Sequence, residues 1–366
     1  MRPERGGETR RVLAVRLDNL GDVVMTGPAI RALRDRWPDA SITLLSSPAG
    51  AAAARMLPWI DEILPHRAVW QDASNALPLD PSREQAFIEA LAARRFEAAF
   101  IFTSFSQSPW PAAYACYLAG IPLRAGHSHG FGGSLLTVQV PPMPDSSHQV
   151  DRNAAVVEAA GIAVADRRLD AIAPAGARES ARRALAAIGI GKGDPFAVVT
   201  PGASCTARRY SPARFAEAAS SLAGLLSCPV VITGSPREAA LVEEVCLRAA
   251  SPAVRLLGNV DICALAAVLA GARLLVCNNS GPMHLADAVG CPMVVLFSGT
   301  DLEEQWRPRS APAILLRRPT PCRPCYLFDC RHQMECLDVP PAEVVSAGLS
   351  LAAPTARTVP VAAGAE

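Results

Sequence analysis

An aspartate directly after a glycine, in a loop that leaves one predicted strand and feeds a helix, can take a proton from a bound hydroxyl. The segment runs Arg16-Leu-Asp-Asn-Leu-Gly-Asp-Val-Val-Met-Thr-Gly-Pro-Ala29. Gly21 suits a tight turn. Pro28 suits a helix start. Asp22 would then project from a rigid scaffold. Spacing alone favours a duller role, because Asp is also a preferred helix cap. The segment is no dinucleotide fingerprint, since no G-x-G-x-x-G follows the strand.

Two later segments suit an anion. In Thr200-Pro-Gly-Ala-Ser-Cys-Thr-Ala-Arg-Arg-Tyr-Ser-Pro212, small residues at Gly202, Ala203 and Ser204 would let backbone N–H groups approach a phosphate. Arg208 or Arg209 could neutralise a diphosphate there. In Val276-Cys-Asn-Asn-Ser-Gly-Pro-Met-His-Leu-Ala-Asp-Ala-Val-Gly290, a strand ends at Asn278-Asn279-Ser280-Gly281 and a helix follows. Free N–H groups and the dipole at such a helix start form an anion site. Ser280 could add a hydroxyl. His284 faces either the ligand or the core, and a lone histidine more often serves the core. Arg31, Arg34 and Arg36 lie on the helix after the Asp22 loop and could meet an anionic acceptor. Asp35 and Asp39 nearby also fit an ordinary solvated face.

These residues need a scaffold, and short apolar runs alternate with amphipathic ones along the chain. Strands are predicted at Arg11–Leu17, Ser41–Ser46 and Ala98–Phe102, with helices at Pro28–Trp37 and Glu84–Arg94. A stretch at Asp166–Asp194, with a helical piece at Glu179–Ile188, breaks the rhythm. Strands then recur at Phe196–Thr200, Pro229–Thr233, Arg255–Leu257, Arg273–Cys277 and Met293–Phe297. Helices recur at Pro212–Leu225, Arg237–Ala249, Ile262–Ala270 and Gly281–Val289. Such alternation implies parallel sheets covered by helices. Two doubly wound domains in tandem make a cleft, and ligands bind beyond the carboxyl ends of the strands.

Composition narrows the class. A chain of 366 residues is long for one domain, so two are expected. The net charge of +1 lacks the basicity of a nucleic-acid binder. Apolar runs such as Pro292–Phe297 are far shorter than the roughly 20 residues a membrane span needs. The run Val12–Val15 is too short for a signal-peptide core. A cytoplasmic protein is expected, able to touch a membrane through a local basic face. Seven of the 11 cysteines are scattered in apolar stretches and read as small buried hydrophobes. The last four, Cys322, Cys325, Cys330 and Cys336, cluster. They could hold a structural zinc, or stand as reduced or disulfide-paired structural cysteines.

Together these segments resemble glycosyltransferase family 9, which includes the ADP-heptose:lipopolysaccharide heptosyltransferases. The likeness runs through Arg16–Pro28, Tyr117–Gly126, His148–Asn153, Pro201–Ser204 with Arg208–Pro212, and Asn278–Ala286 with Pro292–Thr300. It implies a GT-B fold of two facing doubly wound Rossmann-like domains. Residues 1–175 would form the acceptor side and 190–351 the donor-nucleotide side, with 352–366 a disordered tail. The implied reaction moves a sugar, heptose in the family, from a nucleoside diphosphate to a glycolipid hydroxyl of the lipopolysaccharide inner core. It inverts the anomeric centre in one step and needs no cofactor for catalysis.

By resemblance Asp22 becomes the general base, overturning the capping role. Thr200, Ala203, Ser204, Arg208, Asn279, Ser280, Gly281 and His284 fall to the donor site. Gly234, Ser235 and Thr26 are weaker cleft candidates, with Thr26, Arg31 and Arg34 on the acceptor side. The chain departs from the family at Asn279, where an acid is usual. It departs also at Arg208, where lysine is commoner, and at Tyr210-Ser211 in place of Trp-Pro. Two alternatives remain open at this level: a non-catalytic nucleotide-sugar-binding protein of the same fold, and a transferase with a different donor.

Overall fold

The computed structural model describes residues 10–72, 75–105, 107–128 and 130–352. Its first half contains strands β1 (Arg11–Arg16), β2 (Ser41–Ser46), β3 (Glu62–Pro65), β4 (Ala98–Ile101), β5 (Leu123–His127) and β6 (Val138–Val140). Helices α1 (Leu20–Arg36), α2 (Pro48–Ala54), α3 (Pro81–Ala93), α4 (Trp110–Leu118) and α5 (Gln149–Glu158) accompany them. The second half runs α6 (Ala175–Ala187), β7 (Ala197–Thr200), α7 (Pro212–Leu225), β8 (Val230–Gly234), α8 (Ala239–Arg248), β9 (Val254–Asn259) and α9 (Ile262–Gly271). It continues through β10 (Leu274–Asn278), α10 (Gly281–Val289), β11 (Met293–Leu296), α11 (Glu303–Trp306), β12 (Ala313–Leu316) and α12 (Pro341–Ala352).

The sheets run β3-β2-β1-β4-β5-β6 and β12-β11-β10-β7-β8-β9, and every strand pair is parallel. Counted from its own first strand, each sheet has the order 3-2-1-4-5-6 of a doubly wound fold. The chain reverses direction across each sheet between β1 and β4, and again between β7 and β10. Crevices open at the carboxyl ends of these strands, so the loops after them are where ligands belong.

Strand alternation divides the core. Val12 and Ala14 point to the face covered by α1 and α5, while Leu13 and Val15 point to the face covered by α3 and α4. In β10, Leu275 and Cys277 join the same core as Val12, while Leu274 and Val276 pack with α7 and α12. One apolar core therefore runs from the inner face of one sheet, through the helices between, to the inner face of the other. Burial of this kind, at roughly 25 cal/mol per Å², holds the halves in register.

Polar tethers add direction. Gln305 Nε2 donates to the Asp145 carbonyl (2.8 Å), and Arg309 pairs with Asp151 (2.9 Å). Buried Asp287 accepts from the N–H groups of Arg309, Ser310 and Ala311 at 2.8–2.9 Å, which fixes the chain between α11 and β12. His148 caps α5, its Nδ1 accepting from the Val150 N–H (3.2 Å), and its Nε2 meets the Arg307 carbonyl of the other half (2.9 Å). Both contacts are satisfied by the neutral ring protonated on Nε2.

The structure departs from the sequence expectations in places. Helix α1 starts at Leu20, so Pro28 lies inside it rather than near its start. Asn153 Nδ2 donates to the Met25 carbonyl and to Thr26 Oγ1 (3.0 and 3.3 Å), bracing the turn before the proline. Helix α6 is longer than expected and packs on α9 of the second half. The expected tail begins at the last residue of α12, and the rest of it lies outside the described residues. Among the described residues no helix is long and apolar enough to cross a membrane.

Burial pushes the His148 pKa down to about 4, from an ordinary value near 6.5. Between these values the unfolded chain binds a proton that the folded one refuses. The contribution of His148 is therefore complete above about pH 6.5 and is lost as pH falls toward about 4. Urea unfolding at about pH 7 and about pH 5 should show a clear loss for the wild type and a smaller loss for His148→Gln. An identical loss in both proteins would contradict the assignment.

Candidate active site

The loop after β1 and the first turn of α1 carry the candidate base. Asp22 stands at the third position of α1 and reaches back to the Asn19 N–H (3.1 Å), so the N-cap is Asn19, not Asp22, and Asp22 closes a capping box with it. Capping is not its whole role. Fully buried Arg16 donates to Asp22 Oδ1 (2.8 Å) and to Ser104 Oγ (2.7 Å), and its Nε lies 2.9 Å from Asp18 Oδ2. Gln107 bonds the other oxygen of Asp18. Burial first, and the neighbouring charge of Asp22 second, raise the Asp18 pKa above the ordinary carboxylate value, against the pull of Arg16. A cation thus sits beneath two carboxylates at the switch point of the first sheet.

The second sheet answers with an anion site. The first turn of α10 holds no acidic residue, so its positive end is left for a ligand. Ser280 caps it from an extended backbone, its hydroxyl on the Asn278 carbonyl (3.3 Å). Asn278 accepts from the Tyr210 N–H (3.0 Å) and donates to the Pro201 carbonyl (2.8 Å), pinning the loops after β7 and β10 together. Asn279 Oδ1 accepts from the Ser298 N–H (3.1 Å), which adds the loop after β11. Arg208 pairs with Asp301 (2.7 Å) and donates to Thr300 Oγ1 (3.1 Å). Arg209 turns instead to the Ala203 carbonyl of its own loop, so Arg208 is the cation at the cleft. Thr200 Oγ1 is buried at the tip of β7 without a hydrogen-bond partner. Ser204 is exposed and Ala203 buried.

The two sites meet. A Cβ on Gly21 would lie 2.5 Å from His284 Cδ2, and one on Gly281 3.0 Å from a Leu20 methyl. The first turns of α1 and α10 therefore touch, and glycine on each side permits it. His284 is buried between Asp22 and Arg208, and both charges act on it. Burial dominates and depresses its pKa, leaving a neutral ring at pH 7. Trp306 meets His284 edge-on (6.4 Å) and Phe105 likewise (5.8 Å), forming an aromatic bridge across the cleft.

Several sequence candidates are placed elsewhere. Thr26 is fully buried and donates to the Asp22 carbonyl (2.8 Å), so it braces α1. Arg31 grips the Asp166 and Arg168 carbonyls and stacks over Trp59. Arg34 serves the Pro38, Ala40 and Trp59 carbonyls and Asp61. Both arginines are occupied by carbonyls and carboxylates of their own half. Gly234 and Ser235 do lie at a strand tip, but as the seat for a residue the sequence reading missed. Glu238 accepts from the Ser235 N–H and hydroxyl (2.8 and 2.7 Å). It lies where a Cβ on Gly202 would collide with it. Its signal was present in Ser235-Pro-Arg-Glu238, the spacing of a capping box. Arg16, Ser104, Asp301 and Trp306 were also missed, because ordinary residues become site residues only through long-range contact.

The profile of glycosyltransferase family 9 (heptosyltransferase) matches residues 85–335, well over half the chain. The chain belongs to this family. It is a glycosyltransferase. Lipopolysaccharide heptosyltransferase 3 of Escherichia coli is 26% identical over 300 residues, covering 79% of this chain and 84% of that protein. Among solved structures, the family 9 glycosyl transferase of Veillonella parvula superposes with a TM-score of 0.76 at 20% identity, covering 94% of this chain and 97% of that one. ADP-heptose lipopolysaccharide heptosyltransferase II of E. coli gives 0.73 at 19%, covering 93% and 98%. These likenesses confirm the GT-B fold.

Within this family 9 chain, the departure at Asn279 keeps the acceptor atom that locks the loop after β11 and removes a charge. The cysteine cluster lies behind the same loop. The Cys325 and Tyr326 N–H groups donate to the Gly299 and Thr300 carbonyls (3.0 Å each), supporting the segment that receives Arg208. Burial first, and the neighbouring thiols next, raise the Cys336 pKa. All four cysteines are free. Among the described residues no three His, Cys, Asp or Glu side chains are placed to hold a metal ion.

The tight contact at Gly21 gives a direct test of the shared site. Gly21→Ala should push α10 away and lower turnover on the order of tenfold to a hundredfold. Gly27→Ala, whose Cβ would sit 3.4 Å from Leu57, should leave turnover near wild type. Equal activity in both variants would show that the contact does not set the geometry.

Proposed function

We propose that the chain transfers a heptose from an ADP-linked donor to a hydroxyl of a lipopolysaccharide core glycolipid, with inversion at the anomeric carbon. The observation that carries this reading is the contact between the first turns of α1 and α10, with Asp22 on one and an anion site on the other. Its similarity to lipopolysaccharide heptosyltransferase 3 supports the heptose and the lipopolysaccharide. The solved E. coli heptosyltransferase WaaC with ADP-2-deoxy-2-fluoro heptose, at 18% identity, supports the ADP-linked donor.

In this reading the diphosphate lies on the N-terminus of α10, against Ser280, Gly281 and Arg208. Thr200, Ala203, Ser204 and Asn279 form the floor of that site. Glu238 lies at the tips of β7 and β8, where a doubly wound domain commonly holds a ribose by its hydroxyls. Asp22 takes the proton from the acceptor hydroxyl as that oxygen attacks the anomeric carbon. The bond from that carbon to the diphosphate oxygen breaks, and the new negative charge falls on Arg208 and the helix end. That field does the work a metal would otherwise do, so the step requires none. Neutral His284 packs between the two reacting halves. The reaction belongs at the cytoplasmic face of the inner membrane, where a glycolipid acceptor can be met.

Asp22→Asn keeps the size of the side chain and removes the base. Turnover with ADP-heptose should fall by about a hundredfold or more, while calorimetry should show ADP binding within about twofold of wild type. Wild-type turnover in the variant would remove Asp22 from the mechanism.

A further inference from the structure

Helix α4 is built inside out. It buries Ala112, Ala113, Ala115 and Cys116 in the core beneath it and turns Tyr114, Tyr117 and Leu118 outward. These three stand at i, i+3 and i+4, so they line one stripe of the helix. A surface helix ordinarily carries polar and charged residues there. Here the sequence supplies none. Between Glu97 and Asp145 the only Asp, Glu, Lys or Arg is Arg124, in a chain that is 19% charged. Arg124 is itself turned inward. It is buried, donates to the Ile121, Ser134 and Leu135 carbonyls and lies against the Tyr117 ring (5.4 Å). Its charge ties down backbone and is withheld from the outer face.

The loop that Arg124 ties, between β5 and β6, carries Phe131, which is 98% exposed. Gly130 and Gly133 beside it hold positive φ (70° and 57°), which glycine adopts without strain. Gly132 lies against the Trp110 ring, where a Cβ would collide. The loop therefore rests on the first turn of α4 and brings Phe131 beside the exposed stripe. Exposed apolar patches of this kind mark interaction surfaces.

Its position says what meets this face. Helix α4 continues from the loop after β4, in which Ser104 faces Asp22 (3.4 Å). The Phe131 loop leaves the same edge of the sheet, after β5, which runs parallel to β4. The face thus borders the cleft on the side of the candidate base. A glycolipid acceptor reaches that side from a lipid surface. Tyr and Trp settle at the boundary between headgroups and acyl chains, and a projecting Phe needs no matching pocket in a fluid layer.

We propose that α4 and the Phe131 loop form a membrane-docking face, which seats the first half of the chain on a lipid surface by burying uncharged aromatic side chains. This deepens the transferase reading, on which the glycolipid nature of the acceptor rests. The nine residues of α4 are far too few to span a bilayer, so the helix lies in the plane of the surface. The sequence expectation of a local basic face is replaced by an uncharged one.

The test is co-sedimentation of the full chain with vesicles of phosphatidylcholine alone, which carry no acceptor and require no turnover. The wild type should bind them, and raising sodium chloride from about 0.1 M to about 0.5 M should change binding by less than about twofold, because salt screens charges and not apolar burial. Phe131→Asp and Tyr114→Asp should each weaken binding about tenfold or more, with thermal unfolding as in the wild type. A wild type that ignores neutral vesicles overturns the proposal, as does one that binds only anionic vesicles and leaves them in salt. Variants that bind as well as the wild type overturn it too. A dimer seen by sedimentation velocity that both substitutions dissociate, without vesicle binding, would assign the face to a second copy instead. Wild-type transfer from ADP-heptose to a water-soluble acceptor, measured separately, tests the transferase reading, and its failure would leave the vesicle result standing.

Discussion

Two helix N-termini point at one gap, and that arrangement has an electrostatic consequence. Each carries about half a positive charge, so bringing them together without anions is unfavourable. Helix α1 solves the problem internally, with Asp22 in its first turn and Asp18 just before it, both held by Arg16. Helix α10 has no acid of its own there. The negative charge that completes the gap must come from outside, and a diphosphate carries it. Base, cation and leaving group are thus arranged by one contact between two first turns. That contact leaves no room for a Cβ at position 21 and little at position 281.

The rest of the fold serves to hold the contact. Both sheets turn their inner faces toward each other through a continuous apolar core, which fixes the distance between the halves. His148 and Gln305 then fix their orientation through hydrogen bonds to backbone, and the Arg309–Asp151 ion pair adds to them. The loop carrying the last four cysteines props Gly299 and Thr300, and through them Asp301 and Arg208. Residues far from the cleft in sequence therefore act on the position of a single guanidinium.

Much of the scaffold was legible because it is written in local periodicity. Helices Pro212–Leu225 and Gly281–Val289 have the bounds expected from pattern and cap. Helix α1 was misjudged because Pro28 imitates a start signal, while the true start at Leu20 depends on Asn19 and Asp22 acting as a pair. Of the site, the loops after β1, β7 and β10 were recognisable from their small residues and helix starts. The partners of their side chains were not. Arg31 and Arg34 looked like acceptor cations because a helical arginine reads the same whether it faces water or caps a distant carbonyl. Glu238 announces a cap in sequence, and only Gly202 across the sheet shows that it overlies the cleft.

The most direct test of this account is a crystal structure with an unreactive ADP-heptose bound. The account predicts the diphosphate on the first turn of α10 within hydrogen-bond reach of Arg208, and the anomeric carbon facing Asp22 across the gap. A diphosphate held by the first domain, or a sugar turned away from Asp22, would contradict it.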